Sequence, residues 1–438
     1  MGAQKMSFDF ADSADILEVP SGVKARGRLR APSSKSLTQR YLNIGLLSER
    51  RVVLSRALIA EDTILFIEAL RSLGMSIRIS GDEVSIEAGQ GEQRATIHCG
   101  HNGTMLRFLT GALTTRAGIW LLDGSPRLRQ RPIGPLVKGL RQLGARIDFL
   151  GERGFAPIRV SGGALNAGRV ELDAGLSSQF ASSILMAAVR AQGDVVVALK
   201  ALTSATYFEL TMACMRQLGV GVETLEDGCI LVHPGPVAGG RVAVEPDYSS
   251  AAYAAAAALL TAGSVKLEDL QADSQQGDRG FLDVLEEMGA DVDWQPDGVQ
   301  VTGVGKLVGL DADMRGMPDQ VPTLAALAIF ADGRTSIRHV GHLRLKESDR
   351  IDSMCRELRR IGAAVTEHDD GLTLEGGWRP QRDSPRSTVR IRTYGDHRVA
   401  MSMALVGLRV PGLEIENPGV VNKSYPDFWH DLGALIEG

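Results

Sequence analysis

The chain has 438 residues, of which 44% are apolar and 23% are charged, and its formal net charge is −5. This much apolar sequence supports two packed cores, while the acidic balance argues against a protein that binds nucleic acid. No apolar run is long enough to cross a bilayer, and Met1–Ala14 contains acids and no apolar core, which argues against a signal peptide. The four cysteines are scattered without paired spacing, so we expect reduced thiols and a cytoplasmic location.

A Leu-x-x-Leu-Gly pattern recurs at intervals of about seventy residues, with Met, Ile or Trp sometimes replacing a leucine. Each copy is typical of the last turn of an amphipathic helix that ends at a C-cap glycine. A regular period of this length indicates a repeated supersecondary unit. The copies end at Gly74, Gly144, Gly219, Gly289, Gly362 and Gly433.

Each unit is predicted to run β-α-β-α-β-β. In the first unit we expect a strand at Ala25–Ala31, a helix at Lys35–Leu47, a strand at Arg51–Ser55 and a second helix from about Asp62. A hairpin then completes the unit, since alternating runs flank Asp-Gly and Gly-Asp turns after several of the glycines. The Ala-rich run Ala251–Leu260 reads as a buried helix.

The sixth unit has no room for its last strand, because the chain ends soon after Gly433. The alternating run Ile16–Val19 is predicted to supply that strand and to join the two chain ends in one domain. The Pro- and Gly-rich stretch Pro234–Gly240 follows the third unit, and the return crossing is expected near Ser21–Lys24. We therefore predict one α/β domain over residues 26–236 and a discontinuous one over 1–25 plus 237–438, with the active site in the interdomain cleft.

The junction between the first strand and first helix of every unit is polar. A helix N-terminus offers free N–H groups and a partial positive charge, which suits phosphate and carboxylate groups. Ordinary N-capping explains any single junction. Cations cluster at the same places and in nearby loops, however, which favours a ligand with more than one anionic group. These cations are Lys35, Arg40, Arg107, Arg131, Lys346, Arg350, Arg398 and Lys423.

Carboxylates are mixed with these cations. Asp319 and Glu347 suit proton transfer, because neighbouring cations set the pKa of a carboxylate. For Asp349 and Asp396 we expect capping and ion pairing instead. There is no metal-ligand motif, and Gly303–Leu307 lacks the first glycine and the Ser/Thr of a Walker A sequence.

Seven segments, in order from about residue 20 to the C-terminus, resemble the signatures of the 5-enolpyruvylshikimate-3-phosphate synthase family. The resemblance implies an inverse αβ prism: two domains of three β-α-β-α-β-β repeats each, in agreement with the repeats above. The segments are Pro32–Arg40 (PSSKSLTQR), Gly103–Arg107 (GTMLR), Arg127–Gly134 (RLRQRPIG), Ser177–Gln179 (SSQ), Leu345–Arg350 (LKESDR), Asp396–Arg398 (DHR) and Lys423–Asp427 (KSYPD).

The resemblance implies transfer of the enolpyruvyl group of phosphoenolpyruvate to the 5-hydroxyl of shikimate 3-phosphate, with release of phosphate. The route is addition–elimination through a tetrahedral intermediate, in the shikimate pathway to the aromatic amino acids. No cofactor and no metal are expected, because acid–base transfer and charge stabilisation suffice. The expected partners are the two small-molecule substrates, with neither nucleic acid nor membrane, and the protein is expected to be a monomer.

The resemblance also implies individual roles. Asp319 would take the proton of the 5-hydroxyl, Glu347 would protonate the methylene group, and Lys35 or Lys423 would assist the departure of phosphate. The residues implied around phosphoenolpyruvate are Lys35, Gly103, Thr104, Arg131, Gln179, Arg350, Arg398 and Lys423. Those implied around shikimate 3-phosphate are Lys35, Ser36, Arg40, Ser177, Ser178, Gln179, Ser204, Tyr207, Asp319, His342 and Lys346.

The chain departs from the family pattern at a few positions. His101 replaces the first residue of a usual Asn-Ala-Gly-Thr, Phe108 stands where a proline often follows the helix arginine, and His342 stands where an asparagine is common. Gly103 is retained, which predicts room for glyphosate, the herbicide inhibitor of the family. Phe108 is expected to tilt the helix, so the sequence leaves the response to glyphosate open.

Three other interpretations were weighed. The sister transferase that acts on UDP-N-acetylglucosamine shares the fold, but typically has Lys-Asn where this chain has Lys35-Ser36, and a cysteine in the loop that is Pro126–Arg131 here. RNA 3′-phosphate cyclase has similar repeats but calls for a basic surface, against which the net charge argues. A phosphate-binding module without activity would lose its acids while keeping its cations, and here Asp319 and Glu347 are both present.

Overall fold

The computed structural model describes residues 15–89, 93–379 and 388–437, which form two compact units. The continuous unit is Ser33–Glu245, and the discontinuous unit comprises the chain up to Pro32 and from Pro246 onward. The first fourteen residues, to which the sequence assigned no role, lie outside the described part.

The described residues form twelve helices and twenty-three strands. The helices are α1 (Lys35–Leu47), α2 (Glu61–Ser72), α3 (Gly103–Thr114), α4 (Gly134–Gln142), α5 (Gln179–Ala188), α6 (Ala205–Gln217), α7 (Tyr248–Thr261), α8 (Phe281–Glu287), α9 (Val321–Ala328), α10 (Arg350–Arg360), α11 (His397–Gly407) and α12 (Phe428–Glu437). The strands are β1 (Ile16–Glu18), β2 (Arg26–Leu29), β3 (Val52–Ser55), β4 (Ser76–Ser80), β5 (Glu83–Glu87), β6 (Arg94–His98), β7 (Gly118–Asp123), β8 (Arg146–Phe149), β9 (Ile158–Gly162), β10 (Gly168–Ala174), β11 (Val195–Leu202), β12 (Gly221–Thr224), β13 (Ile230–His233), β14 (Gly240–Ala243), β15 (Ser264–Glu268), β16 (Ala290–Gln295), β17 (Gly298–Gly303), β18 (Asp311–Asp313), β19 (Thr335–Arg338), β20 (Val365–His368), β21 (Gly371–Leu374), β22 (Val389–Ile391) and β23 (Leu413–Glu416).

One sheet pattern recurs in every repeat. In the second repeat, β6 pairs parallel with β7, and the hairpin β8–β9 then joins through β9, which runs antiparallel to β7. The corresponding strand orders are β14-β3-β5-β4, β6-β7-β9-β8 and β10-β11-β13-β12 in the continuous unit, and β2-β15-β17-β16, β18-β19-β21-β20 and β22-β23-β1 in the discontinuous unit. The α/β class and the six repeats are therefore confirmed. Five repeats have the full β-α-β-α-β-β order, and the sixth has three described strands, β22, β23 and β1.

The first strand of the first repeat was assigned to the wrong sheet. Strand β2 pairs parallel with β15 of the fourth repeat, with Arg26 opposite Ser264, and β14 takes its place beside β3, with Gly240 opposite Val52. The units consequently divide after Pro32 and after Glu245, instead of near residues 25 and 236 as the sequence suggested. The local pattern predicts a strand but carries no information on a partner more than two hundred residues away.

The N-terminal strand completes the sixth repeat as predicted. Strand β1 pairs antiparallel with β23, and Ile16 lies opposite Glu416. Pairing continues just past the strand, where the Val19 N–H donates to the Leu413 carbonyl at 2.9 Å. Two distant parts of the sequence are thereby joined in one sheet.

The first helix of each repeat is central and the second lies outside it. In the continuous unit α1, α3 and α5 pack on one another, and in the discontinuous unit α7, α9 and α11 do the same. All fourteen residues of α7 are buried, which confirms the prediction for its Ala-rich run. The outer helices bury one face only; in α2 the buried Thr63, Phe66, Ile67 and Leu70 follow the spacing of such a face.

None of the helices in the described ranges has the length and apolar character that a membrane span requires.

Replacing Gly407 with alanine should test the packing of the N-terminal segment on α11. A Cβ atom at Gly407 would lie 2.5 Å from the Cβ of Val19, so we expect Gly407→Ala to lower the free energy of unfolding by roughly 1–3 kcal/mol. Gly419→Ala is the control, because a Cβ there meets no atom within 4 Å. Urea unfolding of both variants, and of Gly407→Ala combined with Val19→Ala, measures the effect. Wild-type stability of Gly407→Ala would show that the two segments do not pack as described.

Candidate active site

The starts of the central helices lie together within each unit, and their N-caps are ordered. Ser34 caps α1 and Asn102 caps α3, where the Asn102 Oδ1 accepts the Met105 N–H at 2.9 Å. In the discontinuous unit Asp247 caps α7 and Asp396 caps α11. Each unit therefore presents several helix N-termini, the backbone feature that favours anions.

Lys35 and Arg131 belong to one chain of contacts in the continuous unit. The Lys35 ammonium lies 3.4 Å from an oxygen of Asp62, and the Asp62 carbonyl accepts the side-chain amide of Asn102 at 3.0 Å. Asn102 in turn begins the helix at Gly103, where a Cβ atom would lie 2.6 Å from the guanidinium carbon of Arg131. The absence of a side chain at Gly103 thus gives a buried arginine its place beside a helix N-terminus.

Gln179 links the starts of α3 and α5. Its amide nitrogen donates to the Thr104 hydroxyl at 2.9 Å, and its amide oxygen accepts from Arg107 at 2.6 Å. Arg107 also contacts the Ser177 hydroxyl at 3.4 Å and donates to the Pro132 carbonyl at 3.1 Å. Arg107 therefore holds two segments that carry implied binding residues, Ser177–Gln179 and the loop at Pro132, beside α3.

Arg40 is 2% exposed and organises the neighbouring helix starts. Its guanidinium donates to the Ser36 carbonyl at 2.8 Å, the Tyr207 carbonyl at 2.7 Å and the Thr211 hydroxyl at 2.8 Å. Burial lowers the pKa of Arg40 from its ordinary value. These hydrogen bonds from Arg40 hold the backbone of Ser36 and Tyr207 in place. Ser178 directly precedes α5, and Ser204 precedes α6 with a left-handed φ of 52°.

Arg350 is the centre of the charged cluster in the discontinuous unit. Its side chain is 2% exposed and donates to Asp319 at 2.8 Å, to Glu347 at 3.0 Å and to Asp396 at 2.8 Å. Burial lowers the pKa of Arg350, but the three carboxylates outweigh burial and raise it overall. Asp396 also accepts the Ser348 hydroxyl at 3.1 Å and the backbone N–H of Arg398 at 2.9 Å, which confirms the expected capping and ion-pairing role.

Asp319 is shared by two arginines. One carboxylate oxygen accepts from Arg350 and the other from Arg398, both at 2.8 Å. Burial raises the pKa of Asp319, but Arg398 and then Arg350 outweigh burial and hold that pKa well below its usual range. Asp319 is therefore an ionised, partly buried carboxylate held between two guanidinium groups. Asp349, by contrast, caps α10 and pairs with Arg344 at 2.9 Å, as expected.

The remaining implied residues of this unit lie on two short 3-10 turns. His342 lies in the turn Gly341–Leu345, and Lys346 directly follows that turn. Burial, together with the positive charge of Lys346, lowers the pKa of His342 to about 3. His342 is therefore a neutral imidazole at neutral pH. Lys423 ends the turn Pro418–Lys423, which packs on α11, and it is 6% exposed.

Two positions that contact implied site residues or their neighbours were not predicted from the sequence. Arg107 was noted as a cation near a helix start, yet was given no binding role, because its hydrogen bonds to Gln179 and Ser177 depend on tertiary structure. Asp278 was not singled out, although it is buried and bonded to Gln320, the residue after Asp319. The polar segment Gln276-Gly277-Asp278 before an apolar helix was the available signal.

The two clusters suit different parts of one kind of chemistry. The continuous unit offers Lys35, Arg131, hydroxyl groups and helix N-termini, which bind anions. The discontinuous unit offers buried arginines together with the carboxylates of Asp319 and Glu347, which bind anions and transfer protons.

Comparison with known proteins places the chain among relatives of one kind. A sequence model of the family described as EPSP synthase (3-phosphoshikimate 1-carboxyvinyltransferase) matches residues 19–432. A protein of Syntrophobacter fumaroxidans named 3-phosphoshikimate 1-carboxyvinyltransferase is 42% identical over 96% of this chain and 99% of its own length. A protein of the same name from Methanoculleus marisnigri is 41% identical over 92% of this chain and 95% of its own length. A solved structure of EPSP synthase from Acinetobacter baumannii superimposes with a TM-score of 0.79 at 28% identity, covering 96% of this chain and 98% of the other.

Replacing Arg350 with methionine should destabilise the protein in a pH-dependent way. Three carboxylates would lose their buried counter-charge, so we expect Arg350→Met to cost about 3–5 kcal/mol at pH 7. The pKa of Asp319 is lowered in the folded protein, so its contribution is present above the ordinary carboxyl pKa of about 4 and is lost as the pH falls. The difference between variant and wild type in urea unfolding should therefore be smaller at pH 3 than at pH 7, because the loss lies below about pH 4.

Arg356→Met is the matched control, because Arg356 is on the same helix, is 63% exposed and pairs with Asp352 one turn away. We expect a change within about 0.5 kcal/mol for this variant. If Arg350→Met lowered the free energy of unfolding by the same amount at neutral and at acidic pH, the effect would be due to packing. That result would contradict the electrostatic explanation.

Proposed function

The chain belongs to the EPSP synthase family, and we propose that its two charged clusters act together in the reaction of that family. The enzyme transfers the enolpyruvyl group of phosphoenolpyruvate to the 5-hydroxyl of shikimate 3-phosphate and releases phosphate, in the shikimate pathway. The observation that carries the proposed residue roles is Asp319, a partly buried carboxylate that two arginines hold in its ionised form. Such a group can accept a proton where anionic substrates are bound.

Asp319 would act as the base of the addition step. In the free protein Arg350 and Arg398 make its carboxylate a weak base. When an anionic substrate takes a share of the two guanidinium groups, their attraction for Asp319 weakens and its affinity for a proton rises. Asp319 then accepts the proton of the 5-hydroxyl while the hydroxyl oxygen bonds to C2 of phosphoenolpyruvate.

Glu347 would supply the proton that the methylene carbon gains as the tetrahedral intermediate forms. It lies three residues before Arg350 and accepts from it at 3.0 Å, so its carboxyl group is held beside the arginine assigned to phosphoenolpyruvate. In the elimination step a methyl proton returns to the Glu347 carboxylate, the C–O bond to phosphate breaks, and the enol ether forms. Lys35 or Lys423 would stabilise the charge on the departing phosphate.

The anionic groups of the substrates would be shared between the clusters. Phosphoenolpyruvate would contact Lys35, Arg131, Arg350, Arg398 and Lys423, with Thr104, Gln179 and the backbone at Gly103. Shikimate 3-phosphate would contact the hydroxyl groups of Ser36, Ser177, Ser178, Ser204 and Tyr207, with Lys35, Arg40, Gln179, Asp319, His342 and Lys346. The neutral imidazole of His342 suits a hydrogen bond better than an ion pair.

We further propose that the protein works as a monomer in the cytoplasm, with no nucleic-acid partner. The net charge of the chain is −5, which disfavours binding to nucleic acid.

Phosphate release is the direct assay. We expect purified protein to release phosphate from phosphoenolpyruvate only when shikimate 3-phosphate is present, and not with UDP-N-acetylglucosamine. Release with the nucleotide sugar alone would assign the sister reaction, and no release with either would leave an anion-binding module.

Lys35→Met should abolish turnover. It removes a cation at the start of α1 that both substrates are proposed to use, so kcat/KM for phosphate release should fall by at least about a hundredfold. Lys200→Met is the control, since Lys200 is 64% exposed and pairs with Glu171 on the surface. Near-normal turnover of Lys35→Met would refute its assigned role.

Gly103→Ala should weaken phosphoenolpyruvate binding more than it affects the fold. The added Cβ would lie 2.6 Å from the Arg131 guanidinium carbon, and the flexible end of Arg131 would move away. Displacing one charged hydrogen-bond donor should raise the KM for phosphoenolpyruvate about tenfold, with the KM for shikimate 3-phosphate much less changed. Gly163→Ala, where a Cβ meets nothing within 4 Å, is the control for steady-state kinetics. An unchanged KM for phosphoenolpyruvate would contradict a role for Arg131.

A further inference from the structure

We propose that Asp278, which takes no part in the roles described above, is a positioning residue that orients Asp319 and increases its basicity. The inference rests on the proposed role of Asp319 as the base. Asp278 lies in the 3-10 turn Gly277–Gly280, between β15 and α8, and is 3% exposed. A buried carboxylate away from any substrate-binding segment calls for an explanation, because burial of an ionisable group is unfavourable.

The contacts of Asp278 connect it to the turn that carries Asp319. One of its oxygens accepts the side-chain amide of Gln320 at 3.0 Å and also the hydroxyl of Ser249, in the first turn of α7. Gln320 is fully buried and directly follows Asp319 in the turn Pro318–Gln320. Because α7 fixes Asp278 and Asp278 holds Gln320, the backbone position of Asp319 depends on this carboxylate.

The segment before Asp278 is itself fixed to the start of α7. The Gln276 side chain donates to the Pro246 carbonyl at 2.8 Å and accepts the backbone N–H of Tyr248 at 3.3 Å. The turn is therefore anchored on both sides of Asp278. A rigid anchor of this kind is what a positioning residue requires.

The charges around Asp278 link it to the same arginine that holds Asp319. The charged groups that act on it most strongly are Asp319, before α9, and Arg398, on α11, while α7 contributes the uncharged donor Ser249. Arg279, next to Asp278 in the turn, pairs instead with Asp283 at 3.3 Å. Burial and then the charge of Asp319 raise the pKa of Asp278 to about 6, against the opposing effects of Arg398, Ser249 and Gln320.

The interaction between two carboxylates is reciprocal. If the charge of Asp319 disfavours ionisation of Asp278, ionised Asp278 equally increases the affinity of Asp319 for a proton. This opposes the two arginines, which otherwise make Asp319 too weak a base. Asp319 should consequently be the better base above about pH 6, where Asp278 is ionised.

The test compares kcat of wild type and Asp278→Asn from pH 5 to pH 8 at saturating substrates. Asparagine has the same shape, its amide oxygen can accept from both Gln320 and Ser249, and it imitates the uncharged, protonated carboxyl. The ratio of wild-type to variant kcat should rise from about one at pH 5 to about five to ten at pH 8, with a midpoint near pH 6. The ratio cancels the titration of the substrate phosphate groups, which also ionise near pH 6.

Thermal unfolding separates this role from a structural one. A carboxyl group with a raised folded pKa destabilises the fold increasingly as the pH rises from its unfolded pKa of about 4 to its folded pKa of about 6. Removal of that charge should therefore leave Asp278→Asn at least as stable as wild type at pH 7, while its kcat is lower. Asp283→Asn, on the adjacent helix and 55% exposed, is the matched control and should change neither quantity.

Ser249→Ala provides a second test that keeps Asp278. It removes a hydrogen bond that favours the ionised form, so the midpoint of the kcat ratio between Ser249→Ala and Ser249→Ala/Asp278→Asn should move to a higher pH. An unmoved midpoint would count against the proposal.

Three further outcomes decide the matter. A flat ratio near one, or a loss of kcat that only follows the folded fraction, would overturn the inference while leaving the proposed function intact. No phosphate release by wild type would refute the proposed function itself. Full activity of Asp319→Asn would refute the role of the base on which the inference depends.

Discussion

The arrangement of the discontinuous unit depends on the ion pairs that the buried guanidinium group of Arg350 makes. Its donors reach carboxylates from three separate segments, at Asp319, Glu347 and Asp396. A buried arginine tolerates loss of water only if its charge and its hydrogen bonds are satisfied. Satisfying them brings the starts of α9, α10 and α11 together, so the charged cluster is part of what holds these three helices in place.

The same ion pairs explain why the proton affinity of Asp319 can change when another charge comes near. Three carboxylates around one guanidinium leave an excess of negative charge, and Arg398 compensates part of it through Asp319. Charges held this closely in a buried place respond strongly to any further charge, because the screening by water is weak there. An anionic substrate would redistribute these attractions and change the proton affinity of Asp319.

In the continuous unit the buried arginines Arg40 and Arg107 hold neighbouring loops in place. They do so through hydrogen bonds that they donate to backbone carbonyls, hydroxyls and the Gln179 amide. Arg131 is placed by the missing side chain of Gly103.

The sequence by itself determined the six repeats, the buried Ala-rich helix, the missing strand at Ile16–Glu18 and the residue types near each helix start. These features depend on local periodicity, glycine conformation and capping, which neighbours along the chain decide. Three contacts can be seen only in the folded protein: β2 pairs with β15, Arg107 donates to Gln179, and Asp278 accepts from Gln320, the residue after Asp319. Those contacts join residues far apart in sequence, and their geometry follows from packing of the whole unit, which no local pattern encodes.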